Sequence, residues 1–278
     1  MKKLYFLLIV LALTSVSFAQ KKEKIKGSKI VTVTQKEVEP FESLEIEDNL
    51  EIFIIKGEKQ GIEIEADDNL HDALKYEMVG NALRLSSSKE VTGAKKFSVR
   101  VTYTDNLKLI TVKQEAQLNS LADLQLKEIT VKNYDYSKSY LNVKSNHFTL
   151  LMNDKSKAEL NLKSESATLE LSKNAELKAL VNAQNLKLDL YQKTSANVEG
   201  EAAKAKIRLD NNSTLTAKKL AASDMELTAE SYTTANVNAI KNISISATGK
   251  SEIQLYGTPK VNMINFTDNA TLYKKQVQ

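Results

Sequence analysis

The feature that most constrains this chain is a period. Residues 137–269 divide into seven consecutive nineteen-residue segments, beginning at Ser137, Ser156, Ala175, Thr194, Ser213, Tyr232 and Ser251. Two apolar patterns recur in them. Near the start come Ser139/Leu141, Ala158/Leu160, Leu177/Ala179, Ala196/Val198 and Leu215/Ala217. Near the end come Leu150/Met152, Leu169/Leu171, Leu188/Leu190, Ile207/Leu209 and later Ile264/Phe266. Each pair skips one residue, the period of a strand with one face buried. Strand alternation repeated every nineteen or so residues is the signature of a solenoid. The expected fold class is all-β, a right-handed parallel β-helix of about 19 residues per coil. Coils pair at about 4.8 Å, so seven would rise on the order of 34 Å.

The stacked positions agree with an interior. Large residues alternate with small ones from coil to coil at the first pattern, which fills a core without overpacking it. Ser145, Ser164, Ala183 and Ala202 form a second candidate interior row of small residues. Coil-closing Asn174, Asn212 and Asn269, with Asn211 and Gly249 beside them, suit the left-handed backbone of a sharp corner. Met225/Leu227 and Ala235/Val237 sit one residue off the pattern, so a bulge or shortened corner must absorb the slip. A two-sheet sandwich would need reversing turns after every strand, and few Asn-Gly or Asp-Gly signals exist.

Ahead of the repeat, the chain reads as three parts. Lys2 and Lys3 precede an apolar run from Leu4 to Val16, and Ser17-Phe18-Ala19 supplies small residues for cleavage. Residues 1–19 therefore read as a signal peptide, cut before Gln20. The run is shorter than the roughly 20 residues a spanning helix needs, so the mature chain is expected to hold no transmembrane segment. Residues 20–29, with Lys21, Lys22, Lys24 and Lys26, read as a flexible, solvated lead-in. Residues 30–278 read as one domain, with an N-terminal β region over 30–106 packed on the start of coils spanning 107–273. In the β region, Gly57–Gly61 suits a hairpin, and Asn69 is placed to cap a short helix carrying Leu70, Ala73, Leu74 and Met78.

Composition closes several routes to chemistry. The chain has no cysteine, which removes disulfides, thiol catalysis and cysteine metal sites. Without Lys2 and Lys3 the 39 basic residues become 37 against 35 acidic ones, a net of +2. With no dense basic block, nucleic acid is not an expected partner. His71 and His147 are the only histidines, and neither has a second ligand at metal spacing. No Gly-x-Ser-x-Gly elbow or phosphate loop occurs, so no catalytic residues and no cofactor are expected.

Phe41-Glu42-Ser43-Leu44-Glu45-Ile46, Ile52-Phe53-Ile54-Ile55-Lys56-Gly57 and Ile62-Glu63-Ile64-Glu65-Ala66-Asp67-Asp68-Asn69-Leu70 resemble the opening of the head GIN domain family, labelled putative auto-transporter adhesin. Ile253-Gln254-Leu255-Tyr256-Gly257-Thr258-Pro259 is similar to its closing motif. The resemblance covers roughly Phe41 to Pro259. It implies a right-handed β-helical fold in exported bacterial proteins with no established enzymatic activity. The chain departs from the family in its corners, which are usually rich in Gly and Ser. Here only Gly200 lies between Gly93 and Gly249.

Three groups merit inspection as sites. Glu63, Glu65, Asp67 and Asp68 could suit a calcium ion or an acid–base pair, or form a solvated strand running into a turn. Glu170, Asp189, Arg208 and Glu226 fall on the outward side of the closing pattern, as a charge ladder with Arg208 between carboxylates. Tyr134, Tyr136 and Tyr140 cluster where the regular coils begin, with Tyr191 and Tyr232 at later corners, and aromatic faces can stack sugars. The three clustered tyrosines are the ligand-binding candidates. The expected role is non-enzymatic binding of a surface glycan or protein in the periplasm, at the outer membrane or outside the cell. A polysaccharide-active enzyme and a structural envelope component are the rival readings.

Overall fold

The computed structural model describes residues 22–276, so the proposed signal peptide lies outside the described residues. Strands Lys138–Met152, Lys157–Leu171, Glu176–Leu190, Ser195–Leu209, Thr214–Ala229 and Thr234–Ala247 each form one coil of a right-handed solenoid. Each pairs in parallel with the next, and the register from Lys138 through Lys157 and Glu176 to Ser195 is nineteen throughout. The periodicity read from sequence is therefore the physical repeat.

Each coil has two limbs. Along the opening limb of the first, Ser139, Leu141, Val143 and Ser145 point inward, and along the closing limb Phe148, Leu150 and Met152 do. Between them Asn146 and His147 both face out, which shifts the phase of alternation and turns the chain. The other corner is a tight turn. Ser156 N–H donates to Asn153 C=O (3.2 Å), and Asp154 and Lys155 between them have φ of 52° and 67°. Two successive left-handed residues make this a primed turn. The arrangement repeats at Lys173/Asn174, Gln192/Lys193 and Asn211/Asn212. A left-handed lysine costs about 1–2 kcal/mol. Stacking offsets it, because Lys155 N–H donates to Lys173 C=O (3.0 Å), Asn174 N–H to Gln192 C=O (3.0 Å) and Lys193 N–H to Asn211 C=O (2.8 Å).

The core follows the expected rows. All the starting pairs named from sequence are buried, as are Ser145, Ser164, Ala183 and Ala202. At the first position of the closing limb, Phe148, Ala167, Leu186, Ala205, Met225 and Ile243 stack in order, so bulky and small side chains compensate between coils. Each buried leucine contributes about 1.5–3 kcal/mol.

The register slip is absorbed by a bulge. Asn197 pairs with Thr216, nineteen on, but Gly200 pairs with Leu220, twenty on. The extra residue lies at Lys218-Lys219, both exposed, so Leu220 and Ala222 return to the interior. The next coil restores the phase with an offset of eighteen from Thr234 to Glu252. Gly200 sits at this irregularity with φ of 111°, and a Cβ there would meet the Val181 carbonyl oxygen at 2.1 Å.

The N-terminal region shares the same sheet. Ser43–Ile46 and Glu51–Lys56 pair in parallel with Leu109–Val112 and Gln117–Ser120, which lead into the regular coils. Antiparallel strands close this end: Val31–Glu37 beside Gly61–Asp67, and Leu74–Val79 beside Ala82–Ser87. Three expectations change here. Gly57–Gly61 does not close a hairpin, because Phe97–Tyr103 inserts between the two flanking strands and pairs with both. The short helix is a 3-10 turn, Asp68–Ala73, that buries Leu70 and Ala73, while Leu74 and Met78 belong to the following strand. The lead-in is docked over its described part. Lys24–Lys26 pairs with Glu90–Thr92, and the Asn69 side chain bridges Lys26 C=O (2.9 Å) and Ser28 N–H (3.0 Å).

At the other end the chain forms Glu252–Tyr256, Lys260–Phe266 and Thr271–Lys274. Ile264 and Phe266, expected inside, are 66% and 38% exposed. Ile264 falls in a bulge, and the interior rows continue through Val261, Met263 and Phe266, which stack on Ile243, Ile245 and Ala247.

Two predictions test the stack. Leu190 is fully buried, so Leu190→Asp should cost several kcal/mol in chemical denaturation, whereas Glu170→Ala, on the exposed side, should cost less than about 0.5 kcal/mol. Gly200→Ala adds strain of about 1–3 kcal/mol before any clash is counted, so its melting temperature should fall well below that of an Ala substitution at exposed Glu201.

Candidate functional site

The outward side of the opening limbs forms a continuous face across the coils. Alternation forces every second residue out, and the nineteen-residue register lines those residues up across coils. The row Tyr140, Glu159, Lys178, Asn197 results. A shallow depression of about 510 Å³ runs along one side of it, over Lys138, Lys157, Glu176, Ser195 and Thr214. A second of about 530 Å³ runs along the other, over Asn119, Ser120, Asn142, Asn161, Leu180 and Glu199. Both span several coils.

Charge pairs cross this surface from coil to coil. Lys157 Nζ lies 2.9 Å from Glu176 Oε2, and Lys178 Nζ lies 3.2 Å from Glu159 Oε1. The Asn161 amide donates weakly to Asn142 Oδ1 at 3.4 Å. Leu180, 53% exposed, is the one exposed aliphatic side chain among those lining the two depressions. Such a surface offers amides, hydroxyls, paired charges and one aromatic ring.

The three candidate tyrosines do not form one patch. Tyr140, 40% exposed, belongs to the row just described. Tyr136 lies at the corner and lines a separate hollow of about 700 Å³ with Lys22, Asp48, Glu90 and Gln114. Its hydroxyl accepts from Lys155 Nζ at 3.1 Å, and the same ammonium lies 5.2 Å from its ring centre. Tyr134 is half-buried and lines none of these hollows. A cation over a corner tyrosine recurs at Arg208 over Tyr191 (5.9 Å) and Lys250 over Tyr232 (5.2 Å). Sequence reasoning named Tyr140 but missed the asparagines and serines around it, because such residues look like ordinary strand exterior until the register aligns them.

The acidic group separates into structural roles. Glu63 accepts from Arg100 (2.6 Å) and Gln35 (2.9 Å), and Glu65 lies 3.6 Å from Lys96. Asp68 accepts from the Ser28 hydroxyl. Asp67 is fully buried and accepts backbone N–H groups from Lys29 (2.8 Å), Lys95 (3.1 Å) and Lys96 (3.0 Å). Burial alone would raise its carboxyl, but those N–H donors outweigh it and hold it below the usual carboxylate range. Asp67 therefore ties the lead-in and the 93–96 turn to the strand Gly61–Asp67. Among the described residues, no group of three or more His, Asp or Glu side chains is arranged to hold a metal ion.

The charge ladder also differs from expectation. Asp189 is buried and paired with Lys187 (2.9 Å), and Arg208 stacks against Thr228, twenty on, while Glu226, only eighteen on, stacks against Lys206. The guanidinium of Arg208 binds Glu230 (2.8 Å), while Glu226 faces Lys206 at 3.7 Å. His71 Nε2 is 2.7 Å from Thr32 Oγ1, and His147 is an exposed corner residue.

Residues 40–259 match the family described as "Putative auto-transporter adhesin, head GIN domain". The chain belongs to this family. Three solved structures share the head GIN chain's architecture. A "putative adhesin" from Parabacteroides merdae ATCC 43184 superposes with a TM-score of 0.64 at 16% identity, covering 91% of this chain and 99% of that one. A "putative adhesin" from Parabacteroides distasonis ATCC 8503 gives 0.63 at 18% identity, with 92% and 100% covered. A "putative lipid binding protein" from the same organism gives 0.66 at 12% identity, with 91% and 100% covered. At these identities the likeness is one of fold. No curated protein matches the sequence.

Asp67 yields a pH prediction. Its folded carboxyl titrates below the value of about 3.9 it has in an unfolded chain. Its contribution is therefore complete above about pH 4 and is lost as pH falls through the lower folded value. Asp67→Ala should speed amide exchange at Lys29, Lys95 and Lys96 at neutral pH. Its stability deficit relative to the wild type should shrink as the solution is acidified below pH 4.

Proposed function

We propose that this head GIN chain is an exported, non-enzymatic binding module that holds an extended, hydroxyl-rich polymer, a glycan first of all, along the outward side of its opening limbs. The observation that carries this reading is the row Tyr140, Glu159, Lys178, Asn197 with a shallow depression on either side. A long ligand laid along the stack would meet a further outward residue every 4.8 Å or so, which favours an extended ligand over a compact small molecule. Tyr140 supplies the stacking face, and Asn142, Asn161 and Asn197 supply amides that both donate and accept.

Family membership and the adhesin names of two similar structures support a surface-binding role. Lys2-Lys3, the apolar run and Ser17-Phe18-Ala19 support export, to the periplasm, outer membrane or cell exterior. The lipid-binding name of the third structure makes vesicles a necessary control. With Leu180 alone as an exposed aliphatic along the depressions, an acyl chain would find little to bury against.

Open depressions bury little of a ligand, so single-site affinity should be micromolar, about −8 kcal/mol, and should rise sharply when the protein is clustered on beads. Tyr140→Ala should weaken binding partly, and Tyr140→Ala/Asn142→Ala/Asn161→Ala much more. The measurement is binding of free and bead-clustered protein to envelope glycans, matrix proteins and lipid vesicles, with released sugar ends assayed in parallel. Catalytic release would refute the reading. Binding only to proteins or vesicles would replace the glycan, and binding to nothing in either format would leave a structural envelope role.

A further inference from the structure

The two ends of the solenoid are finished differently. At the N-terminal end the outermost strands run antiparallel to their neighbours and interrupt their edges with charge, Lys36 and Glu37 on one and Lys75 and Glu77 on the other. At the C-terminal end of the described residues the last two strands run parallel to the coil beneath them. Lys260–Phe266 pairs only with Thr234–Ala247, and Thr271–Lys274 only with Glu252–Tyr256, so among the described residues each has one open edge.

What that end exposes belongs to the core by position. Val261, Met263 and Phe266 stack on Ile243, Ile245 and Ala247, whose exposure is 1% or less. Yet they are themselves 41%, 46% and 38% exposed, with Ile264 at 66% beside them. Every residue of Lys260–Phe266 is exposed, whereas the same limb of earlier coils alternates between buried and open. No charge interrupts the strand between Lys260 and Asp268. A long apolar strand with a bare row of N–H and C=O groups is a template for another strand, and proteins usually blunt such edges with charge, Pro or a covering element. Both terminal strands also lie beyond residue 259, where the family match ends.

The edge is self-complementary. In a parallel continuation, Lys260 of one molecule would lie on Lys260 of the next. A two-fold arrangement reverses one strand and sets the Lys260 end of each against the Asp268 end of the other, with the apolar residues meeting between. Such an isologous contact uses the same patch twice and closes on itself, whereas a head-to-tail contact would face the charged N-terminal edges and run on as a filament. We propose that the partner of this end is a second copy of the chain, paired tail to tail through Lys260–Phe266 in antiparallel β-augmentation. This inference goes beyond the binding reading and does not depend on it. If both hold, the dimer presents two polymer-binding rows.

Sedimentation velocity of the purified protein from about 1 to 100 μM should show a monomer–dimer equilibrium. Met263 is already half-open to solvent in the monomer, so Met263→Lys should leave the circular dichroism spectrum and melting temperature of the dilute protein unchanged. At the centre of the dimer it should raise the dissociation constant by at least about tenfold. Lys260→Glu should also weaken the dimer, and Lys260→Glu/Asp268→Lys should restore it. Because Asp268 accepts from Gly249 N–H, the spectrum of the double variant is checked first. Amides of Lys260–Phe266 should exchange quickly in the monomer and slowly in the dimer. A monomer across the whole range, a concentration-dependent ladder of larger species, or a dimer indifferent to Met263→Lys would each overturn the proposal.

Discussion

Parallel strands stacked in register oblige like positions to lie on like positions, and the rest of this molecule follows from that. In an antiparallel fold a large side chain can meet a small one across the sheet by choice of partner. Here the residue above Phe148 is always the one nineteen later. The core is filled by rows that stay large, as Leu150, Leu169, Leu188 and Ile207 do, and by rows in which size alternates, as Phe148, Ala167, Leu186 and Ala205 do. The same obligation reaches the turns. Lys155 and Lys193 hold left-handed backbones that isolated lysines avoid, and the turn of the neighbouring coil supplies the hydrogen bonds that fix them there. Strain is tolerated because it is shared by every coil.

This explains which parts were legible beforehand. Leu150/Met152 and Leu169/Leu171 could be placed inside from spacing alone, since alternation and period are local properties written in each coil. Left-handed lysine and glutamine could not be foreseen, because the preference for Asn and Gly describes single turns and not turns held by their neighbours. The insertion of Phe97–Tyr103 between Glu51–Lys56 and Gly61–Asp67 depends on long-range pairing that no local pattern encodes. Lys22 to Lys29 looked like a tether because its composition is polar. Its anchors, Asp67 and Asn69, lie some forty residues further on and looked like part of an acidic group and a helix cap.

The candidate site was legible only in part, for a related reason. Tyr140 stands out by residue type, but Asn142, Asn161 and Asn197 acquire meaning only when the register lines them up with it. Counting along the chain also fails wherever the period does. Glu226 is eighteen residues after Arg208, whereas the bulge at Lys218-Lys219 makes the offset twenty, so Arg208 lies on Thr228 and its guanidinium binds Glu230. An outward charge row inferred by arithmetic is therefore less dependable than an inward apolar one. Burial corrects the phase of the core after a bulge, but nothing forces exposed residues back into line.

The same asymmetry bears on how the fold relates to binding. Structures only 16% and 18% identical to this chain share its architecture over more than nine-tenths of its length. Alternation, a coil length and compensating sizes suffice to specify that architecture, and many sequences satisfy them. The outward rows escape nearly all of those requirements, since an exposed substitution on a strand usually changes stability by less than about 0.5 kcal/mol. The scaffold can thus keep its shape while the surface it presents is rewritten. Ligand preference must then be sought in rows such as Tyr140, Glu159, Lys178 and Asn197, because the fold by itself cannot carry it.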